Sequence, residues 1–438
     1  MKTPSLSIHP VAADVRRRTL RCSSQCASLP RRLHGLLLAT LLVLASASGA
    51  LAAAPLSNLS LAAALELAES THPDLAEARA LLRAADGRVL QAGTRANPEA
   101  IVRVESAPFR GSTTGNAEYV VGAGLPVALG NRRGLAREVE KLDRERVLRE
   151  AELKRSELRR RVHGAFATAL YQEAARQTRG EVAGIANELI ALTQARVKAG
   201  DAVVDDLTRA ELELAVAKVE LQRSEQLWQQ ALSALAGTLG SPAVQIKSVA
   251  GKLTAVFDVP TLEALAENLT QHPALALAKV EVEVSQKRIA LANAARVPDV
   301  NVEVLYRRIE SARQDAFDIG FRLPLPFFDQ GKGRVQEARA QADAAEARSR
   351  ATHIQMSGRL RTAHGQLTAA LANLRGLETD ILPRMQSLMK TADVRYAAGD
   401  TSLAEVMPLR REFIAVRSQQ LEALREAMEA WGTLKALQ

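Results

Sequence analysis

Aromatic side chains are scarce in this chain of 438 residues, since phenylalanine, tyrosine and tryptophan together make up 3% of it. A compact enzyme core usually takes much of its buried surface from such side chains, so the composition argues against a core of that kind. Hydrophobic residues nevertheless reach 47%, and alanine, leucine, glutamate and arginine are in excess. That balance is typical of long helices packed through small side chains.

Cysteine is almost absent, and both copies, Cys22 and Cys26, lie near the start of the chain. They precede Arg31 and Arg32 and then the apolar run LHGLLLATLLVLASASGALA, whose small-residue end suits a signal-peptidase site. We therefore predict a secretory signal peptide over residues 1–52, in preference to a membrane anchor. The mature chain would then have no thiol, disulfide or cysteine metal ligand.

A concentrated positive charge is also missing from the predicted mature part. The formal net charge is +9, but the first 52 residues account for six of these charges and leave +3 for the rest. No basic tract is interleaved with aromatic residues, which is the pattern that nucleic-acid sites use. We therefore predict no nucleic-acid partner.

Motifs for catalysis and metal binding are absent from the sequence as well. It contains no His-Glu-x-x-His, no Gly-Lys-Ser/Thr phosphate loop and no Gly-x-Ser-x-Gly elbow. Five histidines follow the signal peptide without paired ligand spacing, and two of them, His72 and His272, precede prolines at predicted helix starts. We predict that the protein is not an enzyme and has no catalytic residues, no cofactor and no bound metal.

What the chain does contain is an internal repeat with an offset near 200 residues. VKAGDAVVDDL from Val197 recurs as YAAGDTSLAEV from Tyr396, and THPDLAEARALL from Thr71 corresponds to QHPALALAKVEV from Gln271. The predicted organisation is one unit present twice, joined by a Pro/Gly-containing linker. Its predicted bounds are 53–240 for the first repeat, 241–261 for the linker and 262–438 for the second repeat.

Each repeat predicts a helix opened by His-Pro, then two short strands, then a long helical hairpin. The first helix should run to about Ala96 or Arg296. In the strands, apolar residues alternate with polar ones, as in the stretch from Val300 to Arg307, and roughly ten residues suffice for a tilted strand to cross a bilayer. The loops between strands are short and polar, such as FRGSTTGN from Phe109.

The predicted hairpin helices are very long. The stretch from Gly134 to Ala199 has no proline and a helical period, which gives a length of about 100 Å at 1.5 Å per residue. In the second repeat, Pro383 and Pro408 predict kinks or irregular turns. Such helices must pack along others. Four strands cannot close a barrel, and lipid does not tolerate open strand edges, so several chains would have to contribute strands.

At this point the sequence resembles the TolC-like outer-membrane efflux proteins, in its duplicated plan, its His-Pro-x-Leu helix starts and its Asn-Pro-Glu and Val-Pro-Asp strand entries. GLPVALGNRRG from Gly124 and LPLPFFDQGKG from Leu323 are most similar to the CzcC-type heavy-metal branch. The resemblance implies a mainly α fold with a small β part. In it, a homotrimer builds a periplasmic α-barrel and a 12-strand transmembrane β-barrel, with four strands from each chain.

The resemblance further implies a passive exit channel in the outer membrane of a Gram-negative cell, reaching into the periplasm. Its partners would be a periplasmic membrane-fusion adaptor, an inner-membrane pump of the resistance-nodulation-division (RND) class and outer-membrane lipid. Heavy-metal cations are the expected substrate, with drug or solvent export as the alternative inside the family. Outside the family, a secreted coiled-coil scaffold protein stays open as the rival interpretation.

The Ala-Gly-Asp breaks are predicted to be the two hairpin tips. Gly200 and Gly399 suit the left-handed cap of the descending helices, and Asp201 and Asp400 should N-cap the returning ones. The resemblance adds adaptor docking at the tips. There Arg196 and Arg395, one turn before the glycines, would be exposed contacts.

Six residues after each glycine stands a carboxylate, Asp206 in the first repeat and Glu405 in the second, with Asp205 beside the former. By resemblance they would form acidic rings at the channel entrance, which attract cations in a narrow pore. A solvated helix face is the alternative. Tyr396 matches a residue that holds such entrances closed, whereas Thr401 stands where the family has an arginine, so the closing network departs from the family pattern.

Overall fold

The computed structural model describes residues 56–106, 117–240, 244–253 and 257–437, and every structural statement below refers to these. The predicted signal peptide and the loop from Phe109 lie outside the described residues, as do parts of the predicted linker. The division into signal peptide, two repeats and linker stays a prediction.

The same order of elements occurs in both halves, and the fold is mostly helical with one small antiparallel sheet, which confirms the predicted fold class at this level. The first half consists of α1 (Leu61–Thr71), α2 (Pro73–Gly93), β1 (Glu99–Glu105), β2 (Glu118–Val127), α3 (Arg132–Ala199) and α4 (Val204–Thr238). The second half consists of α5 (Leu262–Leu269), α6 (Pro273–Ala294), β3 (Val300–Ile309), β4 (Gln314–Arg322), α7 (Lys332–Gly376), α8 (Leu382–Ala398) and α9 (Leu403–Lys435).

The two His-Pro pairs open α2 and α6, as the sequence predicts. The Nδ1 atoms of His72 and His272 each accept a hydrogen bond from the backbone N–H two residues later, at 3.1 Å. Both rings are buried, and the proline that follows each one lacks an N–H that would have no partner there. These histidines therefore act as helix caps.

The long helix of the first half is unbroken, whereas its counterpart is not. α3 has 68 residues, or about 100 Å at 1.5 Å per residue. In the second half a π-helical turn, Leu377–Ile381, separates α7 from α8 just before Pro383. The irregular turn predicted there is confirmed, and a missing proline N–H accounts for it. No irregular turn occurs at Pro408, because α9 continues through that residue, and a kink there stays a prediction.

The long helices pack side by side rather than around a compact centre. α3 packs along α4, α9 packs along α7 and α8, and α3 and α9 join the two hairpins. Buried positions are dominated by alanine and leucine, with Phe166 among the few aromatic residues. No helix among the described residues is long and apolar enough to cross a membrane.

The four strands form one antiparallel sheet in the order β1-β2-β3-β4. β2 and β3 join the two halves, with Val121 opposite Tyr306. The register of all three strand pairs brings the apolar residues of the period-two pattern onto one face of the sheet. Most of them are exposed to solvent in the single chain; they include Val102, Val104, Tyr119, Val121, Leu125, Val304, Tyr306, Phe317, Ile319 and Phe321.

The opposite face of the sheet carries ion pairs. The guanidinium of Arg307 donates to Glu105 at 3.0 Å, to Glu118 at 2.5 Å and to Asp318 at 2.9 Å. The buried Glu303 lies 2.8 Å from the guanidinium of Arg322. The sheet therefore exposes its apolar residues on one face and carries charged residues on the other, the reverse of a sheet that covers a soluble core.

Gly122 permits the close approach of β2 to β3. A Cβ atom at Gly122 would lie 2.2 Å from the backbone oxygen of Val304, whereas one at Gly124 would have its nearest neighbour at 3.4 Å. We expect Gly122→Ala to lower the free energy of unfolding of the sheet by about 1–3 kcal/mol, because the strands must separate to admit the methyl group.

The measurement is thermal melting in detergent, followed through the infrared amide band of the sheet. Gly124→Ala is the matched control and should melt like the wild type. Equal melting temperatures for the two variants would contradict the close approach at Gly122.

Candidate functional site: the paired hairpin tips

Both hairpin tips are closed by the same backbone motif. Gly200 (φ +83°) and Gly399 (φ +87°) have the left-handed conformation predicted for them, which glycine adopts without the steric penalty of a Cβ. The N–H of Asp201 donates to the carbonyl of Arg196, and that of Asp400 to the carbonyl of Arg395, each at 2.9 Å. The N–H of Gly200 donates to the carbonyl of Val197, and that of Gly399 to the carbonyl of Tyr396. At each tip the two bonds together form a Schellman motif.

The predicted N-caps are wrong at both tips. α4 begins after Val203 and α9 begins after Ser402, so neither Asp201 nor Asp400 caps the returning helix. The reason is geometric: after the Schellman motif the chain needs two more residues to reach the extended conformation of an N-cap. Both aspartates are exposed to solvent, and their backbone N–H groups are used to close the preceding helix.

Arg196 is not the exposed contact that the sequence predicts. Its guanidinium donates to the carbonyl of Tyr396 at 2.8 Å and to that of Asp201 at 3.0 Å, and it lies 4.7 Å from the centre of the Tyr396 ring. A cation over an aromatic face is attracted by the ring quadrupole. Arg196 thus joins the two tips, whereas its counterpart Arg395 is exposed.

Tyr396 is the buried centre of the contact between the tips. Its side chain is 2% exposed, and its hydroxyl lies 2.8 Å from the hydroxyl oxygen of the buried Thr193 on α3. Around it packs a cluster from the other three tip helices, Leu189 of α3, Ala210 of α4, and Leu403, Val406 and Met407 of α9. The sequence motifs did not point to Thr193, although this residue lies one turn before Arg196 and therefore on the same face of α3.

The three candidate acids have different surroundings. Asp205 is exposed, while the Asp206 side chain is 19% exposed and lies 4.0 Å from the guanidinium of Arg209. Glu405 is exposed and accepts hydrogen bonds from the hydroxyls of Thr401, at 2.6 Å, and Ser402, at 3.1 Å. These two bonds, chiefly the one from Thr401, lower the pKa of the Glu405 carboxyl below its ordinary value.

Away from the turns, the two hairpins leave space between them. A cavity of about 340 Å³ lies between α3, α8 and α9, with Ile185, Met389 and Phe413 in its walls. An ion pair between Arg410 and Asp393, at 2.6 Å, lines it too. The second tip therefore lies next to a poorly filled volume. Among the described residues, no three His, Cys, Asp or Glu side chains are grouped to hold a metal ion.

Comparison with known proteins assigns most of this chain to one family pattern. A sequence model of the family described as outer membrane efflux protein matches residues 64–241 and 264–438. The chain is 28% identical over 379 residues to the cobalt-zinc-cadmium resistance protein CzcC of Cupriavidus metallidurans, and the match covers 86% of this chain and 89% of that relative.

Solved structures show the same fold. The crystal structure of the outer membrane protein VceC of Vibrio cholerae superposes with a TM-score of 0.72 at 19% identity, covering 86% of this chain and 95% of VceC. CusC, described in connection with transmembrane channel formation, superposes with a TM-score of 0.67 at 18% identity, covering 86% of this chain and 91% of CusC. At these identities the likeness concerns the fold alone.

We expect Tyr396→Phe to loosen the contact between the tips, because it leaves the buried Thr193 hydroxyl without its partner. Such a loss costs about 1–3 kcal/mol. Amide hydrogen exchange in the last two turns of α3 and α8 should become faster. The double variant Tyr396→Phe, Thr193→Val replaces both hydroxyls by apolar groups of similar shape and should recover most of the protection. A double variant that exchanges as fast as the single one contradicts the proposed hydrogen bond.

Proposed function

The chain belongs to the outer membrane efflux protein family, and on that premise we propose that it is the exit channel of a three-part efflux system. The resemblance stated from the sequence is confirmed by the family match, as is the location in the outer membrane. We propose that the channel is passive and that three copies of the chain build it. The observation that carries this proposal is the sheet with an exposed apolar face and a charged opposite face.

The sheet supports a shared barrel for a physical reason. Its apolar face suits lipid and its charged face suits a water-filled lumen. In the described chain β1 and β4 each have one neighbour only, so each leaves an edge of unpaired backbone groups. Hydrocarbon cannot hydrogen-bond such an edge. Three chains would pair β1 of one with β4 of the next and close a barrel of 12 strands.

The helices support a tunnel through the periplasm. α3 starts five residues after the end of β2 and then runs for about 100 Å, which places the tips far from the sheet. We propose that the tips face the inner membrane and contact a periplasmic adaptor, which in turn binds an RND-type pump. The exposed residues Asp201, Arg395 and Asp400, next to the turn glycines Gly200 and Gly399, are the proposed docking contacts.

The tips also suit a gate. We propose that Asp206 and Glu405, with Asp205 beside them, face the pore and form acidic rings in the trimer, where negative charge in a narrow passage attracts cations. Tyr396 would hold the entrance closed through Thr193 and Arg196. The π-helical turn and the cavity beside α8 favour the second tip as the part that moves.

We propose heavy-metal cations as the substrate, because the relative from Cupriavidus metallidurans is described as a cobalt-zinc-cadmium resistance protein. Ducts discriminate less than pumps, so drug or solvent export is the alternative inside the family. A secreted coiled-coil scaffold, the other interpretation of the sequence, has no use for a sheet with an exposed apolar face.

The proposal is tested first by location and assembly. We expect the mature chain in the outer-membrane fraction, as a detergent-resistant trimer that moves as a monomer only after heating, and we expect ion conductance from it in planar bilayers. A chain found soluble in the periplasm, without such a trimer, contradicts the channel.

A second experiment tests the acidic rings. Asp206→Asn with Glu405→Gln should weaken the block of conductance by divalent or trivalent cations, because the block depends on negative charge at the entrance. Glu346→Gln, which neutralises an exposed acid on α7 far from the tips, is the matched control and should leave the block unchanged. Unchanged block in the double variant removes the rings from the model of the entrance.

A third experiment uses the lowered pKa of Glu405. Because the hydroxyls of Thr401 and Ser402 lower that pKa, the carboxylate keeps its charge as the pH falls through the ordinary range of a glutamate. Thr401→Val with Ser402→Ala should raise the pKa, so that cation block fades at a higher pH than in the wild type. At neutral pH the block should be the same in both. Identical pH profiles would exclude a contribution of Glu405.

A further inference from the structure

The helices next to the tips form an open array with two edges. α4 packs along α3, α3 contacts α9, and α9 packs along α8. α4 and α8 therefore lie at opposite edges of this array, as β1 and β4 do in the sheet. In both the helix array and the sheet, the first half of the chain supplies one edge, α4 or β1, and the second half supplies the other, α8 or β4.

The edge helix α4 carries an apolar stripe that no described residue of its own chain covers. Leu212 is 64% exposed, Val216 is 51% exposed and Val219 is 64% exposed. Their spacing of four and then three residues places them on one face of the helix. Long helices that display such a stripe usually pack it against another helix.

The other edge carries a matching pair. Leu388 on α8 is 52% exposed, and Ile381, at the end of the π-helical turn, is 44% exposed. They are seven residues apart, as Leu212 and Val219 are, so each pair repeats after about two helical turns.

The two pairs also lie at matching distances from the tips. Arg411 of α9 reaches Glu213 of α4 at 3.2 Å, which shows that the two hairpins end at the same level. Counted along the helices from the residues that close the tips, Leu212 lies about 14 Å and Leu388 about 17 Å away, at 1.5 Å per residue. Val219 lies about 24 Å and Ile381 about 27 Å away. The offset is constant and smaller than one helical turn.

The charges on the two edges are complementary. α4 contains six acidic and three basic residues, whereas α8 contains three basic residues and one acidic residue. Opposite net charge on facing helices favours a specific partner and suppresses pairing of like edges.

We propose that α4 of one subunit packs against α8 of the next, with Leu212 facing Leu388 and Val219 facing Ile381. This inference rests on the proposed assembly of three chains and adds to it the surfaces and the register of the contact. The contact is head-to-tail, so it closes a ring when the rotation per subunit is a third of a turn. A second copy of this chain is the occupant of the stripe.

The consequence for the second tip is specific. α8 and its tip residue Tyr396 would be held on one side by their own chain, through Thr193 and Arg196, and on the other by α4 of the neighbouring subunit. Any movement of α8 would then have to slide or break the Leu212–Leu388 contact.

Disulfide formation between subunits tests the register. The only cysteines, Cys22 and Cys26, lie in the predicted signal peptide, so the mature chain offers no competing thiol. Chains with Leu212→Cys and chains with Leu388→Cys are produced together, so that a disulfide between these positions must join two subunits. Oxidation should give a covalent dimer on a denaturing gel that reduction removes.

The matched control places cysteines on the same two helix edges but at different distances from the tips. Leu212→Cys produced together with Ile381→Cys places the thiols about 13 Å apart along the helix axis, beyond the roughly 7 Å between Cα atoms that a disulfide spans. This pair should give no covalent dimer above the level seen with either single variant. Val219→Cys with Ile381→Cys should again give one.

Light scattering of the same samples reports assembly independently. A trimer that fails to form the Leu212–Leu388 disulfide, or that forms the mismatched one equally well, overturns the inference while the proposed channel stands. Absence of any trimer contradicts the proposed function itself and the inference with it.

Discussion

An unpaired strand edge is the constraint from which the rest of this structure follows. Within a hydrocarbon layer every backbone N–H and C=O must find a partner in protein, yet β1 and β4 each leave one side open in the described chain. The apolar face of the sheet would place those edges in lipid. In the proposed channel, a chain with such a sheet would depend on other copies of itself, and the helices that continue from the strands would share that dependence.

The duplication explains why the two halves share a plan, and the tips show how far they have diverged. Both halves end their descending helix in the same Schellman motif, because that turn depends only on a glycine and the local backbone. The equivalent arginines differ, since Arg196 lies over the Tyr396 ring while Arg395 faces solvent. The second half has Tyr396 at the position where the first half has Val197. Only Arg196 therefore has an aromatic ring on the opposite tip to lie over.

Local rules predicted much of the fold from the sequence. The strands follow from alternating valine and aromatic residues, the helix starts from His-Pro, and the tips from Gly200 and Gly399. The errors arose where tertiary contacts decide. Nothing local distinguishes the half-buried Arg196 from the exposed Arg395. The same holds for Pro383, which follows a π-helical turn, and Pro408, which an uninterrupted helix accommodates. The N-caps were misplaced for a different reason, because the backbone needs two more residues after each Schellman motif to reach the extended conformation of an N-cap.

The pairing of β2 with β3 has a consequence for the order in which the chain folds. Val121 and Tyr306 are neighbours in space but lie 185 residues apart in sequence. Contacts between distant residues form late, because a long loop must close before they stabilise anything. The two helices of the first hairpin pack along each other, so this hairpin can form before the second half is synthesised. The complete sheet cannot form before β4, which ends at Arg322, has been synthesised, so its apolar face comes together only after most of the chain has been made.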